Sequence, residues 1–351
     1  MKYSIIIPVY NRPDEAEELL ESLTRQTQKD FEVIIVEDGS VSPCKEVADK
    51  YSGSLDIKYF FKENGGPGPA RNYGVDKAQG EYVLILDSDC VIPEGYIAAV
   101  DAELIEKPCA AFGGPDAAHD SFSPVQKAIS YSMTSFFTTG GIRGGKKKGA
   151  LDKFYPRSFN MGVKRDVYNA LGGFSKMRFG EDIDFSYRIV EAGHETHLFP
   201  DAWVWHKRRT DFRKFFKQVF NSGIARINLE KRHPGTMKLV HMLPMVCTVG
   251  VIALILFFIC GLLLFLFGCD HMNKSVGLAI SVLSLIPILL YSVIIFIDSS
   301  FKNHSMWVGL LSIPAAFTQL MGYGLGFIKA WWLRCVLGKD EFSAFEKNFY
   351  K

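Results

Sequence analysis

The sequence lacks the two glycine signatures that most often mark a nucleotide site. No Gly-x-x-x-x-Gly-Lys-Ser/Thr occurs, and no Gly-x-Gly-x-x-Gly follows the first apolar stretch. Both a P-loop and a dinucleotide-binding turn are thereby disfavoured. A charge excess is also missing: the net charge is +2 over 351 residues, too balanced for a nucleic-acid binder. The seven cysteines are scattered, odd in number and without metal-ligand spacing. That argues against a disulfide framework and suits a reducing compartment. No Ser/His or Cys/His arrangement offers a nucleophile. No signal peptide is expected either, because the apolar run of MKYSIIIPVYNR is short and broken by Pro8. Long charge-free runs are absent before residue 238, so the earlier part reads as a soluble domain.

What is present begins with Tyr3–Val9, an apolar and β-branched run that predicts a buried strand. Asn11-Arg12-Pro13 turns the chain, and Pro13 fits the first turn of a helix whose buried face is Ala16, Leu19, Leu20 and Leu23. Phe31–Val36 and Asp56–Phe61 follow as strands. This strand-helix-strand order with short loops predicts a doubly wound parallel α/β sheet. Tyr82–Leu86 is another strand, and it ends in Asp87-Ser88-Asp89. Residues i and i+2 point the same way, so the two carboxylates converge beyond the strand's carboxyl end. Open α/β sheets bind ligands there, and a hard divalent cation suits one or two carboxylates with room left for phosphate oxygens. Taken alone, Asp-Ser-Asp is also a common acidic surface turn. Asp38 ends the second strand on the same sheet edge, where it can accept from a ribose hydroxyl or base N–H, or simply shape an Asp-Gly turn. Arg71, at the start of the helix after NGGPGP, faces these strand ends and suits either phosphate or a structural ion pair with Asp38 or Asp87.

IIIPVYNRP, VIIVEDGS, NGGPGPARNYG and GEYVLILDSD, in this order over residues 3–89, resemble the amino half of family 2 glycosyltransferases with the GT-A fold. The resemblance implies a nucleotide-sugar site. Pro8, Tyr10, Asn11 and Asp38 would lie around the base and ribose, with Arg71, Asp87 and Ser88 near the nucleotide. Asp89 would hold a Mg²⁺ or Mn²⁺ on the diphosphate, with Asp87 and His206 as further candidates. Glu37 departs from the family, which more often carries Asp there.

Residues 92–114 predict a helix, Pro93 to Glu106, and a short strand, Cys109 to Gly113. Residues 115–158 read as less regular and include a basic loop, Gly140–Gly149, suited to solvent or to an anionic surface. Phe159–Arg165 and Ala170–Phe174 are similar to the family's central block. Glu181-Asp182 opens a helix, where carboxylates complement the dipole. There Asp182 matches the family's catalytic base, with Glu181 in support. Such a base takes the proton of an acceptor hydroxyl that attacks the anomeric carbon opposite the leaving diphosphate, inverting that centre. Glu195–Phe199 reads as the last strand, and His206 ends an aromatic run as a candidate metal ligand.

Arg208–Arg232 is amphipathic, with Phe212, Phe215, Phe216, Val219, Phe220, Ile224 and Ile227 on one stripe between basic residues. It suits an interfacial helix. Processive family members carry Gln-x-x-Arg-Trp here; Gln218 is followed instead by Asn221 and Ser222, which favours single-sugar addition. Met242–Gly268 and Ser275–Ile297 are long enough to span, and Ser305–Ile328 is a third candidate. Basic residues before the first span place the catalytic domain in the cytoplasm. Three full spans would put Lys329, Arg334 and Lys339 outside, against the same rule; a re-entrant or interfacial third segment removes the conflict. The expected organisation is a catalytic domain 1–207, an interfacial region 208–238, a membrane region 239–335 and a polar tail 336–351. The expected protein is a multi-pass cell-membrane, metal-dependent, inverting hexosyltransferase of cell-surface polysaccharide synthesis. It would use a UDP-sugar first and a lipid-linked or other membrane-face acceptor. The rivals are a non-catalytic nucleotide-binding scaffold of the same fold and a sugar nucleotidyltransferase. The second needs a glycine-rich amino-terminal loop that IIIPVYNRP does not supply.

Overall fold

The computed structural model describes residues 1–117, 122–140 and 154–345. The chain divides into two units, the first comprising Met1–Asp120, Lys146–Lys207 and Phe345–Lys351. The elements run β1 (Tyr3–Val9), α1 (Pro13–Thr24), β2 (Phe31–Asp38), α2 (Lys45–Tyr51), β3 (Ile57–Lys62), α3 (Pro67–Asp76) and β4 (Tyr82–Leu86). Then come β5 (Cys90–Val91), α4 (Tyr96–Glu106), β6 (Ala111–Gly113) and β7 (Asp116–Ala117). Two helices of the second unit intervene, α5 (Pro124–Thr134) and α6 (Phe136–Thr139). The first unit resumes with β8 (Asn160–Lys164), α7 (Arg165–Ala170), α8 (Glu181–Glu191), β9 (Thr196–Leu198) and β10 (Val204–His206).

Seven strands form one sheet in the order β3-β2-β1-β4-β8-β6-β9. Strands β1 to β4 are parallel neighbours, as the short strand-helix-strand loops require. The apolar runs of β1, β2 and β4 are buried on both faces, whereas β3 at the sheet edge is only partly buried. Ile5, Ile7, Val33 and Ile35 share one core with Leu19, Leu20 and Leu23 of α1. Ile6, Ile34 and Val36 share the other with Ala70 and Val75 of α3. Each such side chain contributes about 1.5–3 kcal/mol on burial. Gly74 lets α3 lie against the sheet, since a Cβ there would stand 2.6 Å from Ile6 Cγ2.

The structure departs from the sequence reading in four places. β8 runs antiparallel to both β4 and β6, so the sheet is mixed on that side. The strand expected at Glu195–Phe199 is not the last. β10 follows and forms a small second sheet, β5-β10-β7, beyond the ends of the main strands. The helix expected from Pro93 starts at Tyr96. Residues 124–139, read as irregular, are helical, and the missed signal was a capping box in which Ser123 and Gln126 bond reciprocally. Of the basic loop, all but Gly140 lies outside the described residues.

The second unit comprises Ser121–Gly145 and Arg208–Ala344. After α5 and α6 it continues with α9 (Phe212–Arg232), α10 (Leu239–Phe267), α11 (His271–Asn303) and α12 (Met306–Trp331). A π turn, Trp332–Val336, and α13 (Glu341–Phe345) follow. Leu239–Phe267, His271–Asn303 and Met306–Val336 are each long and apolar enough to cross a membrane. The buried face of α9 includes Phe215, Val219, Ile224 and Ile227, all from the predicted stripe, whereas Phe216 is exposed.

Candidate functional site

The carboxyl ends of β1, β2 and β4 carry the residues that the sequence singles out, and each is held by a specific partner. Asn11 adopts φ +53°, a left-handed conformation that Asn tolerates better than most residues. Its Oδ1 accepts from Val41 N at 2.8 Å and Ser42 N at 3.1 Å, tying the loop after β1 to the loop after β2. Pro8 is half-buried at the end of β1, and Tyr10 is exposed beside it. Glu37 is fully buried and accepts from Ser40 Oγ, from Cys44 N at 2.8 Å and from Tyr59 OH at 3.3 Å. Asp38 is also committed. Its Oδ1 accepts from Lys62 Nζ at 2.7 Å and Gly65 N at 2.9 Å, and its Oδ2 accepts from Gly66 N at 2.7 Å. Asp38 thus fixes the loop that launches α3.

That loop positions Arg71, which is buried. Arg71 Nη2 donates to Asp87 Oδ1 at 2.7 Å, and Nη1 donates to Glu181 Oε1 at 3.2 Å. Its guanidinium lies 5.2 Å from the centre of the Phe174 ring. One planar fork therefore joins the end of β4 to the start of α8. Asn72, the next residue, latches the loop before α8. Its Oδ1 accepts from Tyr168 OH and Phe174 N, and its Nδ2 donates to Phe174 O.

Asp89 lies in a second cluster. Arg12 Nη1 donates to Asp89 Oδ2 at 2.6 Å, and His206 Nε2 stands 3.2 Å from Asp89 Oδ1. The small sheet brings this about, because His206 of β10 pairs with Cys90 of β5. Phe159 stacks on the His206 ring at 5.0 Å. Burial pushes the Asp89 carboxyl up, but His206 and Arg12 outweigh it and hold Asp89 well below the ordinary carboxylate range. Two buried polar atoms here lack a hydrogen-bond partner, Asp89 Oδ1 and His206 Nδ1. The 3.2 Å approach of His206 Nε2 to Asp89 Oδ1 is thus a close contact without hydrogen-bond alignment. Donor atoms of Asp89, Cys90 and His206 lie within 4.8 Å of one another. Cys90 is a poor third ligand for a hard cation, because burial pushes its thiol up and Sγ approaches Phe159 O. The oxygen of Asp89 and the imidazole of His206 fit Mg²⁺ or Mn²⁺. Asp87 is turned to Arg71 instead, and Ser88 between them is buried.

A third cluster opens α8. Arg157 Nε donates to Asp182 Oδ2 at 2.7 Å, and Asp182 Oδ1 accepts from Ile183 N at 2.9 Å. Burial raises the Asp182 carboxyl, and Arg157 more than reverses this, so Asp182 stays ionised. Its neighbour Glu181 goes the other way: burial pushes it up, and the charge of Asp182 adds to that against the pull of Arg71. Asp184 is structural, accepting from Ser175 Oγ at 2.7 Å and from Arg188.

The structure thus joins Asp87, Arg71 and Glu181 in one network and Asp89 with His206 in another. Sequence reasoning missed Arg12, Arg157 and Phe159 as members. Arg12 had a signal, its place directly after Asn11 in the loop beyond β1; Arg157 had none, being 25 residues from Asp182. A surface cleft lined by Glu81, Lys164, Arg165, Asp166 and Asn169 opens at the opposite end of β4 and carries none of this chemistry.

Residues 4–172 match the glycosyl transferase family 2 domain. A stretch of 88 residues, 25% of this chain, is 47% identical to 15% of an uncharacterized glycosyltransferase of Rickettsia felis. Another of 93 residues is 41% identical to 16% of the poly(ribitol-phosphate) β-N-acetylglucosaminyltransferase TarS of Staphylococcus aureus. The chain thus spans only a small part of the length of these relatives. Among solved structures, a mannosyltransferase of Pyrobaculum calidifontis in complex with GDP-Man and Mn²⁺ superposes with a TM-score of 0.57 at 16% identity. The superposition covers 95% of this chain and 88% of that one. The mixed sheet is the GT-A fold, and residues 4–172 are a family 2 glycosyltransferase domain.

Proposed function

We propose that this chain is a membrane-anchored, inverting glycosyltransferase. It moves one sugar from a nucleotide-diphosphate donor, a UDP-sugar first, to an acceptor at the membrane face. The observation that carries this reading is the placement of Asp87, Asp89 and the Glu181-Asp182 pair beyond the carboxyl ends of the sheet strands, in neighbouring networks, with Asp89 Oδ1 and His206 Nδ1 buried and making no hydrogen bond. TarS by name transfers N-acetylglucosamine, and the Pyrobaculum enzyme binds GDP-Man and Mn²⁺. Both support a sugar-nucleotide donor.

In the reaction an acceptor hydroxyl attacks the anomeric carbon. The new C–O bond forms as the bond to the diphosphate oxygen breaks, and the nucleoside diphosphate leaves with that electron pair. Asp182 takes the hydroxyl proton, and Arg157 keeps it ionised until then. Arg71 braces Asp87 against Glu181, so the nucleotide side and the base side move together. Asp89 and His206 would hold the cation, which supplies positive charge to the departing diphosphate. A basic, aromatic α9 and three long apolar helices support a cell-membrane site with the catalytic unit in the cytoplasm. The acceptor would then be lipid-linked or otherwise held at that face, as in cell-surface glycan synthesis.

A thermal-shift panel on the detergent-purified chain tests this, with UDP, GDP, CMP and ADP, each with and without Mn²⁺. A ligand at about a hundred times its dissociation constant adds roughly 2.7 kcal/mol. A Mn²⁺-dependent shift with UDP supports the reading, GDP alone changes the donor, and no shift with any nucleotide in folded protein removes it.

A further inference from the structure

We infer that the third apolar helix, α12, does not cross the membrane but lies along its cytoplasmic face, leaving a two-span anchor. This rests on the reading that α10 and α11 span. The first observation is an ion pair: Arg232 Nη2 stands 3.1 Å from Glu341 Oε2. Arg232 precedes α10 and Glu341 follows α12. Residues that touch share one side of a bilayer, and three crossings between them would put them on opposite sides.

The second observation is how α12 meets the α10–α11 hairpin. Near its start, a Cβ on Gly309 would meet Ser300 Oγ at 1.9 Å, and Ser312 Oγ lies 2.7 Å from Ser299 Oγ. Farther on, Phe317 packs against Tyr291 at 5.6 Å. An antiparallel span would continue down α11 and by residue 324 stand beside roughly residue 285. Instead Thr248 Oγ1 of α10 donates to Leu320 O at 3.1 Å. A Cβ on Gly324 would stand 2.6 Å from Pro244 O, near the start of α10. Residues 309–317 of α12 follow α11 residues 300–291 for about 12 Å, and from residue 320 on the partners are Thr248 and Pro244 of α10 instead of the next turns of α11. Helix α12 therefore runs across the base of the hairpin rather than along it.

The third observation is what covers α12. Val308 and Ala315 pack with Ala128 of α5. A Cβ on Gly322 or Gly326 would strike Val219 Cγ2 at 2.5 Å or Phe220 O at 2.0 Å, both on α9. Helix α9 carries Arg213, Lys214 and Lys217, so it is no membrane span. Of the most apolar window of α12, 44% is buried inside the protein, against 6% and 17% for α10 and α11. Exposed Trp307, Trp331 and Trp332 mark its two ends, the residue type that settles at the headgroup level. The lipid headgroup layer is thus the partner of its free edge. Lys329 and Arg334 then join Arg226, Lys231, Arg232 and Lys238 on the cytoplasmic side, which satisfies the positive-inside rule that three spans would break.

Native cysteines provide the test. Cys247, Cys260, Cys269 and Cys335 are exposed, and Cys44, Cys90 and Cys109 are buried. Full-length variants keep one exposed thiol each: Cys269 at the hairpin tip, Cys335 after α12, or Ser54→Cys on the surface of the first unit. Ser343→Cys repeats the Cys335 measurement farther from the headgroups. A membrane-impermeant maleimide is applied to sealed vesicles before and after permeabilisation. The expected result is that Cys335 and Ser343→Cys label from the same side as Ser54→Cys, and Cys269 from the other. Labelling of Cys335 and Ser343→Cys together with Cys269 means three crossings and overturns the inference. Labelling of Cys269 with Ser54→Cys removes the spanning hairpin and overturns it too. The readout needs no turnover, so a failed transfer assay would leave it standing.

Discussion

Removing Arg71 is the sharpest structural perturbation of the site. Its guanidinium is 5% exposed and serves two carboxylates, Asp87 at 29% and Glu181 at 14% exposure. Arg71→Met fills a similar space and leaves both carboxylates without their partner. Breaking a buried ion pair from one side costs about 3–5 kcal/mol, because the remaining charge stays desolvated. Water reaches Asp87, which places the expected loss at the low end, about 3 kcal/mol. A domain of this size shifts its melting temperature by roughly 2–4 °C per kcal/mol, so the first unit should melt about 6–12 °C lower. The second variant, Arg71→Met with Glu181→Gln, removes the more buried orphan and should recover part of the loss. The assay is thermal unfolding of the full chain in detergent, read by near-UV circular dichroism. A shift below about 2 °C, or a double variant whose losses simply add, would refute the fork as the brace between β4 and α8.

Four further outcomes follow. Asp182→Asn keeps nucleotide binding and lowers transfer by about 10²–10⁴-fold, measured as diphosphate release. Asp89→Asn loses Mn²⁺-dependent nucleotide binding, and an unchanged Mn²⁺ titration would place the cation elsewhere. The Asp182 carboxyl sits below its ordinary value of about 4, so its contribution to stability is present above that pH and lost as pH falls through the folded value. Asp182→Asn should therefore flatten the acid limb of a stability-against-pH curve. Asp38→Asn weakens the Lys62, Gly65 and Gly66 contacts that launch α3, and should raise amide exchange across residues 64–67.

The parallel half of the sheet was legible because Tyr3–Val9, Phe31–Val36 and Tyr82–Leu86 are continuous apolar runs bounded by turns. The direction of β8 was not. Asn160-Met161-Gly162-Val163-Lys164 has a strand pattern, but no local signal says that the long excursion before it returns antiparallel. The Asp87/Asp89 pair was readable from the period of a strand, although in the structure Asp87 turns to Arg71 and Asp89 to Arg12 and His206 rather than to one point; Glu181-Asp182 was readable from a helix start and from the family resemblance. Their cations were not, since Arg12 reaches Asp89 from 77 residues away and Arg157 reaches Asp182 from 25. Asp38 shows the remaining difficulty: an Asp at a strand end fits a ribose or a loop equally well in sequence. In the structure its oxygens are taken by Lys62, Gly65 and Gly66.

The claim that this chain transfers sugar is tested most directly by nucleoside diphosphate release. The full chain, purified with native lipid, is given UDP-sugars and GDP-sugars with Mn²⁺, beside Asp182→Asn under the same conditions. The account predicts diphosphate release from one donor class, dependent on Mn²⁺ and on added lipid acceptor, and nearly abolished in Asp182→Asn. Folded protein that binds nucleotide yet releases no diphosphate from any donor, or releases it equally in Asp182→Asn, would contradict it.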